Sequence, residues 1–529
     1  MAEDSQRSET SAPGKRALSL QRGLSASGLA RSEMLWLLAI LAIAAALRFY
    51  KLESSLWYDE IDTLVNYVRP PFGELMTSYP SLNHHVMFSL EAKLSTLIFG
   101  ESAWSLRLPA ALLGLASIWA AWLVAREVVT RNEALFVAAL LAVSYHHVWF
   151  SQNARGYTGL LFFGLLATYF LVRGLRKPTR GVWAAYGLSM AAAMYTHLSA
   201  AFFFAGHGLV WLWFFARARL SKSPAPIKGG DDAIGGFGPF IGFAAGGLLT
   251  LLMLAPLIPD MFETFTTVSG VGDDGRESVP EWRNPLWTVA EIGRSLVALG
   301  PLMAMGLPTA LILIAIGVWD LFKSRPAVAA LFVAHIPLTI LVLFVLSFRI
   351  WPRYFFIDAA FILIFLVRGA YVLAGVAARE LRRRKLLRIE DEAAALLMCA
   401  AMTVASLVLL PRNYAIPKQD FLGAAQYVEA ARAPGDAAAS VGLARLPFSL
   451  YYAPHWARAE AREDLERLVP ADGRLWVVTA YSAHTRNMYP DIVDYLASDF
   501  EEVREFPGTL GDGYVHVYRS RTPEEGRDP

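Results

Sequence analysis

The sequence predicts a polytopic α-helical membrane protein that ends in a small α/β domain. Three observations carry this. Of the 529 residues, 55% are hydrophobic and only 18% charged, whereas a soluble globular chain carries about a quarter charged. Apolar stretches close to the roughly 20 residues that cross a bilayer recur from Ser32 to Leu410. Beyond Arg412 the long apolar runs stop and short strand-like pieces begin.

The elements follow in order. Residues 1–31 are rich in Ser, Arg and Gly and have no apolar centre, so they read as a disordered cytoplasmic tail. The run from Met34 reads as a retained anchor rather than a cleaved signal. A transmembrane domain over 32–411 then contains eleven expected spans: Ser32–Phe49, Trp104–Ala125, Glu133–Phe150, Tyr157–Val172, Gly181–Thr196, Leu198–Ala216, Phe237–Ile258, Gly300–Leu321, Ala327–Ser347, Tyr354–Ala377 and Ala393–Leu410. Two stretches are apolar but interrupted. His84–Phe99 contains Glu91 and Lys93, and Pro285–Leu299 contains Glu291 and Arg294. Both are expected to lie at the interface, within outer loops 50–103 and 259–299.

Lys and Arg set the orientation. Basic clusters occur at Lys15 to Arg31, Arg126 and Arg131, Arg173 to Arg180, Arg217 to Lys228, Lys323 and Arg325, and Arg382 to Arg388. With eleven spans, all of them fall on the side of the N-terminus, which is therefore expected to be cytoplasmic. The region 412–529 then lies outside. "LWVVTAY" and "YVHVY" read as strands there, "AHTRNMYPDIVDYLAS" as helix, and Asp420 to about Arg432 as a further helix closed by Pro434-Gly435. Gly511-Asp512-Gly513 is a turn signal.

Some functions are excluded early. A net charge of +2 gives no basis for binding nucleic acid. The single cysteine, Cys399, rules out an intramolecular disulfide and a thiolate metal cage. Polar side chains concentrate instead at the outer ends of the spans: Asp59, Glu60, Asp62, Asn83, His84, His85, Arg107, Gln152, Asn153, Arg155, Tyr157, Tyr195, His197, Arg349, Arg353 and Tyr354. Acids offer a base, and arginines offer a planar fork for phosphate. Together they suit group transfer from a phosphate-linked donor at the membrane surface. Asp62 reads as a solvated or capping residue. Neighbouring histidines such as His146 and His147 point about 100° apart on a helix and rarely chelate one ion together.

The chain also resembles the membrane-embedded GT-C glycosyltransferases, in particular glycosyltransferase family 39, with the protein O-mannosyltransferases and lipid A aminoarabinose transferases. The resemblance rests on five segments in family order: "LRFYKLESSLWYDE" with its Asp-Glu pair, "FGESAWSLRLPAALLGLASIWAAWLVAREV" with Arg-x-Pro, "YHHVWFSQNARGYTGLLFF", "MYTHLSAAFFF", and "WPRYFFIDAAFILIFL". It covers most of the chain from Arg48 to about Leu366. "SLNHHVMFSL" departs from the Pro-Pro-Leu-Tyr-like stretch of many relatives.

What the resemblance implies is an inverting enzyme that moves a single sugar from a polyprenyl-phosphate donor to an extracytoplasmic acceptor hydroxyl on a lipid, glycan or protein. Asp59 is the expected general base, with Glu60 beside it in a positioning role. Arg155, Tyr157, His197, Arg349, Arg353 and Tyr354, with His84 and His85, are the expected donor-phosphate and substrate contacts. No cofactor is required. A divalent ion on Asp59 or Glu60 is admissible, since other GT-C enzymes use one, but it is not favoured. The enzyme is placed in the inner (plasma) membrane, among membrane lipids. The competing function is a carrier or flippase for a lipid-linked sugar. That reading calls for ionisable groups deep in the spans and for internal repeats, and the sequence has no evident repeat.

Overall fold

The computed structural model describes residues 31–81, 83–221, 225–268, 301–345, 350–510 and 512–521. The tail 1–30, the expected helix over Pro285–Leu299, Arg349 and Gly511 lie outside them. Among the described residues, nine helices are long and apolar enough to cross a membrane. A bent pair, Arg131–Ala142 with Tyr145–Ser151, makes a tenth. The expected span over Gly181–Thr196 is the helix Arg180–Thr196, whose 17 residues sit at the short limit for crossing.

The bent pair corrects the straight span expected over Glu133–Phe150. The two halves meet at 59°. A break inside a bilayer is tolerated only if the freed backbone groups find partners. Here Arg48, buried at the end of the first helix Arg31–Phe49, donates to the carbonyls of Ala142 at 3.0 Å and Leu141 at 3.4 Å. Its Nη2, which reaches Leu141, also meets His147 Nδ1 at 2.6 Å, and His147 Nε2 pairs with Ser117 Oγ at 2.8 Å. Ser144 restarts the helix by accepting the His147 N–H. The bend carries the following turn, Ser151 to Gly156, into the outer site.

Helix Val86–Phe99, with 14 residues, is not among the helices long enough to cross a membrane. Lys93 is buried and donates to the Val68 and Pro70 carbonyls, while Leu94, Leu97, Ile98 and Phe99 are exposed along one apolar face. Helix Asp391–Ala415 runs past the expected boundary at Arg412, so the C-terminal domain begins at Ile416. Its last turn is pinned: Tyr414 Oη donates to Leu47 O, and Lys51 Nζ donates to Tyr414 O.

The C-terminal domain holds one five-stranded mixed sheet. Its strands are β1 (Ala437–Val441), β2 (Ala457–Ala459), β3 (Leu475–Ala480), β4 (Phe500–Phe506) and β5 (Val515–Ser520), in the order β2-β1-β3-β5-β4. β1 runs parallel to β2 and β3, and β5 is antiparallel to β3 and β4. Alternation along β3 splits the core. Trp476 and Val478 join Phe421, Phe448 and Val517 on one face. Leu475 and Val477 join Ile492, Leu496 and Phe500 on the other. A strand buried on both faces reads as an unbroken apolar run, which "LWVV" is. Asp420 caps the helix Phe421–Ala431 by accepting from Gly423 N–H at 2.9 Å.

Two membrane helices, Pro301–Ser324 and Ala359–Arg383, approach so closely that backbone meets backbone. A Cβ on Gly369 would collide with the Leu313 carbonyl, and one on Gly317 with the Phe365 carbonyl. Small residues at a lipid-embedded crossing allow this contact. Gly369→Val is expected to destabilise the protein by at least about 1–3 kcal/mol through overpacking, read as a lower thermal midpoint in detergent. Gly208→Ala, where a Cβ meets nothing within 4 Å, is the control expected to leave that midpoint in place.

Candidate active site

The acidic loop is built before any charge is considered. Trp57 is the N-cap of a one-and-a-half-turn helix, Tyr58–Thr63. Glu60, at its third position, reaches back to accept the Trp57 N–H at 3.3 Å, as in a capping box. Trp57 Nε1 donates to Asn153 Oδ1 at 3.0 Å, which fixes the loop against the turn after Ser151.

Glu60 is fully buried and faces an equally buried Arg107 from the first turn of Ala103–Val128. The pair is two-pronged: Nε to Oε1 at 2.7 Å and Nη2 to Oε2 at 2.6 Å. Ala154 N–H adds a third bond to Glu60 at 2.8 Å. Arg107 spends its other protons on the carbonyls of Leu52, Ser54 and Ser55. Burial alone would raise the Glu60 carboxyl. The charges of Arg107 and Lys418, with bonds from Arg107 and Ala154, outweigh burial and hold it below the usual carboxylate range. Both carboxylate oxygens are thus committed. Glu60, expected beside Asp59 in a positioning role, thus has its carboxylate engaged in holding the loop.

Asp59 is placed differently. Its carboxylate lies 3.6 Å from Arg353 Nη1 and 4.0 Å from Arg155 Nε. Both separations are ion pairs rather than hydrogen bonds. Arg353 comes from the 3₁₀ turn Pro352–Asp358, which also carries Tyr354, and its guanidinium lies 4.4 Å over the Trp351 ring. Arg155 is anchored through Nη1 to Asn83 O at 2.9 Å and Nη2 to Asn83 Oδ1 at 3.1 Å. Its Nε is buried without a hydrogen-bond partner.

Three rings close around these charges. His85 lies 4.5 Å from His197 and 5.1 Å from Tyr157, centre to centre, and Tyr157 lies 5.3 Å from His197. His85 Nδ1 accepts the Gly156 N–H at 2.8 Å, and His197 Nδ1 accepts the Ser199 N–H at 3.1 Å. Burial first, then the charge of Arg155, pushes His85 well below the ordinary histidine value and His197 down to about 3. At neutral pH both are uncharged, so the arginines remain the local cations.

The expected residues therefore divide. Asp59, Arg155, Arg353, Tyr157, His85 and His197 form one cluster. His84 packs instead as a ring, stacked on Tyr67 at 4.3 Å and 5°, with burial lowering it to about 4. Asp62 is corrected: it is buried rather than solvated, accepts from Asn66 Nδ2 at 2.7 Å, and is raised by that burial. Arg349 lies outside the described residues.

Sequence reasoning missed the part played by the C-terminal domain. Lys418 Nζ donates to Gln152 O, lies 3.9 Å from Glu60 Oε1, and sits 4.9 Å over the Trp149 ring. Burial pushes its amine down to about 7, against the pull of Glu60. Gln419 accepts the Tyr58 N–H, and Tyr452 Oη donates to Leu56 O at 2.8 Å. "PKQD" held these contacts in plain view, but nothing local in the sequence links it to a loop 360 positions away.

Comparisons with known proteins agree with this architecture. Residues 83–230 match the family described as dolichyl-phosphate-mannose-protein mannosyltransferase. The fold is similar to ArnT from Cupriavidus metallidurans in the apo state, at 15% identity and a TM-score of 0.50, over 92% of this chain and 98% of that one. The same protein bound to undecaprenyl phosphate matches at 16% identity and 0.50, over 93% and 99%. The Archaeoglobus fulgidus oligosaccharyltransferase in its apo form matches at 12% identity and 0.51, over 88% of this chain and 72% of that chain. A sequence comparison with curated proteins finds no match.

The two acids separate in their expected mutational behaviour. Glu60→Gln leaves Arg107 buried and unbalanced, which is expected to cost about 3–5 kcal/mol of stability. Asp59→Asn breaks no short hydrogen bond and is expected to cost far less. Denaturation of the two purified variants in one detergent checks the order.

Proposed function

We propose that this chain is a membrane-embedded GT-C glycosyltransferase of the polyprenyl-phosphate-sugar-dependent kind, which transfers one sugar from such a donor, with inversion, to an extracytoplasmic hydroxyl on a lipid, glycan or protein. The observation that carries the reading is Asp59 between Arg353 and Arg155 at 3.6 and 4.0 Å. One carboxylate between two guanidiniums leaves a net positive charge. A sugar-phosphate diester, with one negative charge, balances it. That undecaprenyl phosphate binds a protein of this fold supports the same ligand class.

In the proposed mechanism the donor phosphate takes the two arginines, drawing them off Asp59. The acceptor oxygen attacks the anomeric carbon as Asp59 removes its proton. The bond from that carbon to the phosphate oxygen breaks, and its electron pair leaves on the lipid phosphate. Arg155 and Arg353 stabilise the charge that develops there. A single displacement inverts the centre. The neutral rings of His85, His197 and Tyr157 line the phosphate without competing for charge.

The proposed orientation follows the Lys/Arg distribution, with the N-terminus cytoplasmic and the C-terminal domain outside. A reporter active only outside the cytoplasm, fused after Pro529, is expected to be active. Activity of a cytoplasmic reporter at that position would reverse the assignment.

Asp59→Asn keeps shape and removes the proton acceptor, so turnover of a synthetic lipid-phosphate sugar is expected to fall about 10²–10⁴-fold with donor binding largely kept. Near-normal turnover would remove Asp59 from the mechanism. Arg353→Lys keeps charge but loses the fork. Weaker binding of undecaprenyl phosphate by the folded variant is the expected result, and unchanged affinity would return Arg353 to an interfacial role.

A further inference from the structure

Gln419 and Tyr481 have no part in that mechanism, yet the fold holds both over the acidic loop. Gln419 is 1% exposed. Its Oε1 accepts the Tyr58 N–H at 3.2 Å and the Tyr481 Oη–H at 3.2 Å. The backbone N–H of Tyr58 is a donor without ambiguity, so the oxygen must face it and the amide orientation is fixed. That leaves the Gln419 Nε2, buried and without a hydrogen-bond partner. A buried amide donor left unmatched is costly and calls for an explanation.

Tyr481 adds a second, independent observation. It joins β3 to the helix Ser482–Met488 and adopts φ 57°, ψ 66°. A non-glycine residue in the left-handed region is uncommon and marks a position that its surroundings over-determine. The next two backbone N–H groups, of Ser482 and Ala483, are held by Asp512 at 3.0 and 3.1 Å. So placed, the Tyr481 ring stands edge-on to Tyr58 at 5.6 Å and 83°. Asp59 and Arg353 both lie within electrostatic range of its hydroxyl.

We propose that Gln419 and Tyr481, with Tyr58, form a pyranose subsite through which the C-terminal domain reads the sugar of the donor, the Gln419 Nε2–H donating to a ring or hydroxyl oxygen. The inference rests on reading the site as a polyprenyl-phosphate-sugar transferase. The chemistry fits a sugar on both counts: an aromatic pair offers apolar faces to its C–H groups, and a fixed amide offers a directional donor to its oxygens. The geometry favours the donor sugar over an acceptor glycan, because the transferred sugar is one bond from the phosphate that the arginines hold beside Asp59.

The test compares, on the full-length protein, binding of bare undecaprenyl phosphate with that of undecaprenyl phosphate carrying mannose, glucose, galactose or 4-amino-4-deoxyarabinose. The wild-type protein is expected to bind at least one sugar-bearing lipid more tightly than the bare one. Gln419→Met and Gln419→Glu are expected to cut that gain by about 3–10-fold, the scale of one neutral hydrogen bond. Gln419→Glu keeps the oxygen that Tyr58 and Tyr481 use, so a loss there cannot come from a broken latch. A gain that survives in both variants overturns the proposal, as does a wild-type protein with no sugar preference across the panel. Equal loss for bare and sugar-bearing lipid assigns Gln419 to structure alone and also overturns it. Competition by free acceptor-type glycans, without a change in the donor gain, assigns the subsite to the acceptor instead. Failure of the wild-type protein to bind bare undecaprenyl phosphate counts against the transferase reading itself.

Discussion

The buried pair of Arg107 and Glu60 is the constraint on which the outer face depends. One guanidinium and one carboxylate, both removed from water, are costly unless every donor and acceptor is matched. Here the matching does the organising. Glu60 closes the first turn of its own helix through Trp57 and accepts from Ala154. Arg107 gathers three carbonyls from the loop Leu52 to Ser55. The helix Ala103–Val128, the loop Leu52 to Ser55 and the turn before Arg155 are thereby tied to one point. Asp59 owes its backbone position to its neighbour, whose contacts hold the first turn of the short helix.

That arrangement splits two adjacent acids by environment. Glu60 meets a partner at hydrogen-bond distance and is spent on structure. Asp59 meets two cations at 3.6 and 4.0 Å, beyond hydrogen-bond distance of either. The surrounding imidazoles are kept neutral by burial and by the arginines, so they supply polar surface without a third positive charge. A carboxylate paired with two cations but hydrogen-bonded to neither is the feature on which the proposed exchange with a donor phosphate rests.

The short connector after the last span ties the second domain to the same point. Lys418 sits over Trp149 beside Glu60, Gln419 joins Tyr58 to Tyr481, and Asp420 starts the next helix. Three consecutive residues therefore carry the junction of the membrane domain, the acidic loop and the C-terminal sheet. The Arg48 cluster plays a comparable part within the membrane domain, where it stabilises the 59° bend that brings the Asn153–Arg155 turn to the site.

The sequence by itself determined the membrane class, most span positions, the α/β character of the outer region and the concentration of polar side chains at one end of the spans. These are properties of local composition and period, and burial in lipid or in a sheet imposes them residue by residue. It also placed Arg107 among the polar residues at the span ends, but could not say that Glu60 was its partner. The bend at Val143, the packing of His84 against Tyr67, the burial of Asp62 and the contacts of Lys418, Gln419 and Tyr481 were decided only by the tertiary structure. Each depends on groups that are distant along the chain and meet in space. Whether a carboxylate is a brace or a base is set by which cation stands opposite it and at what distance, and no spacing along a chain contains that distance.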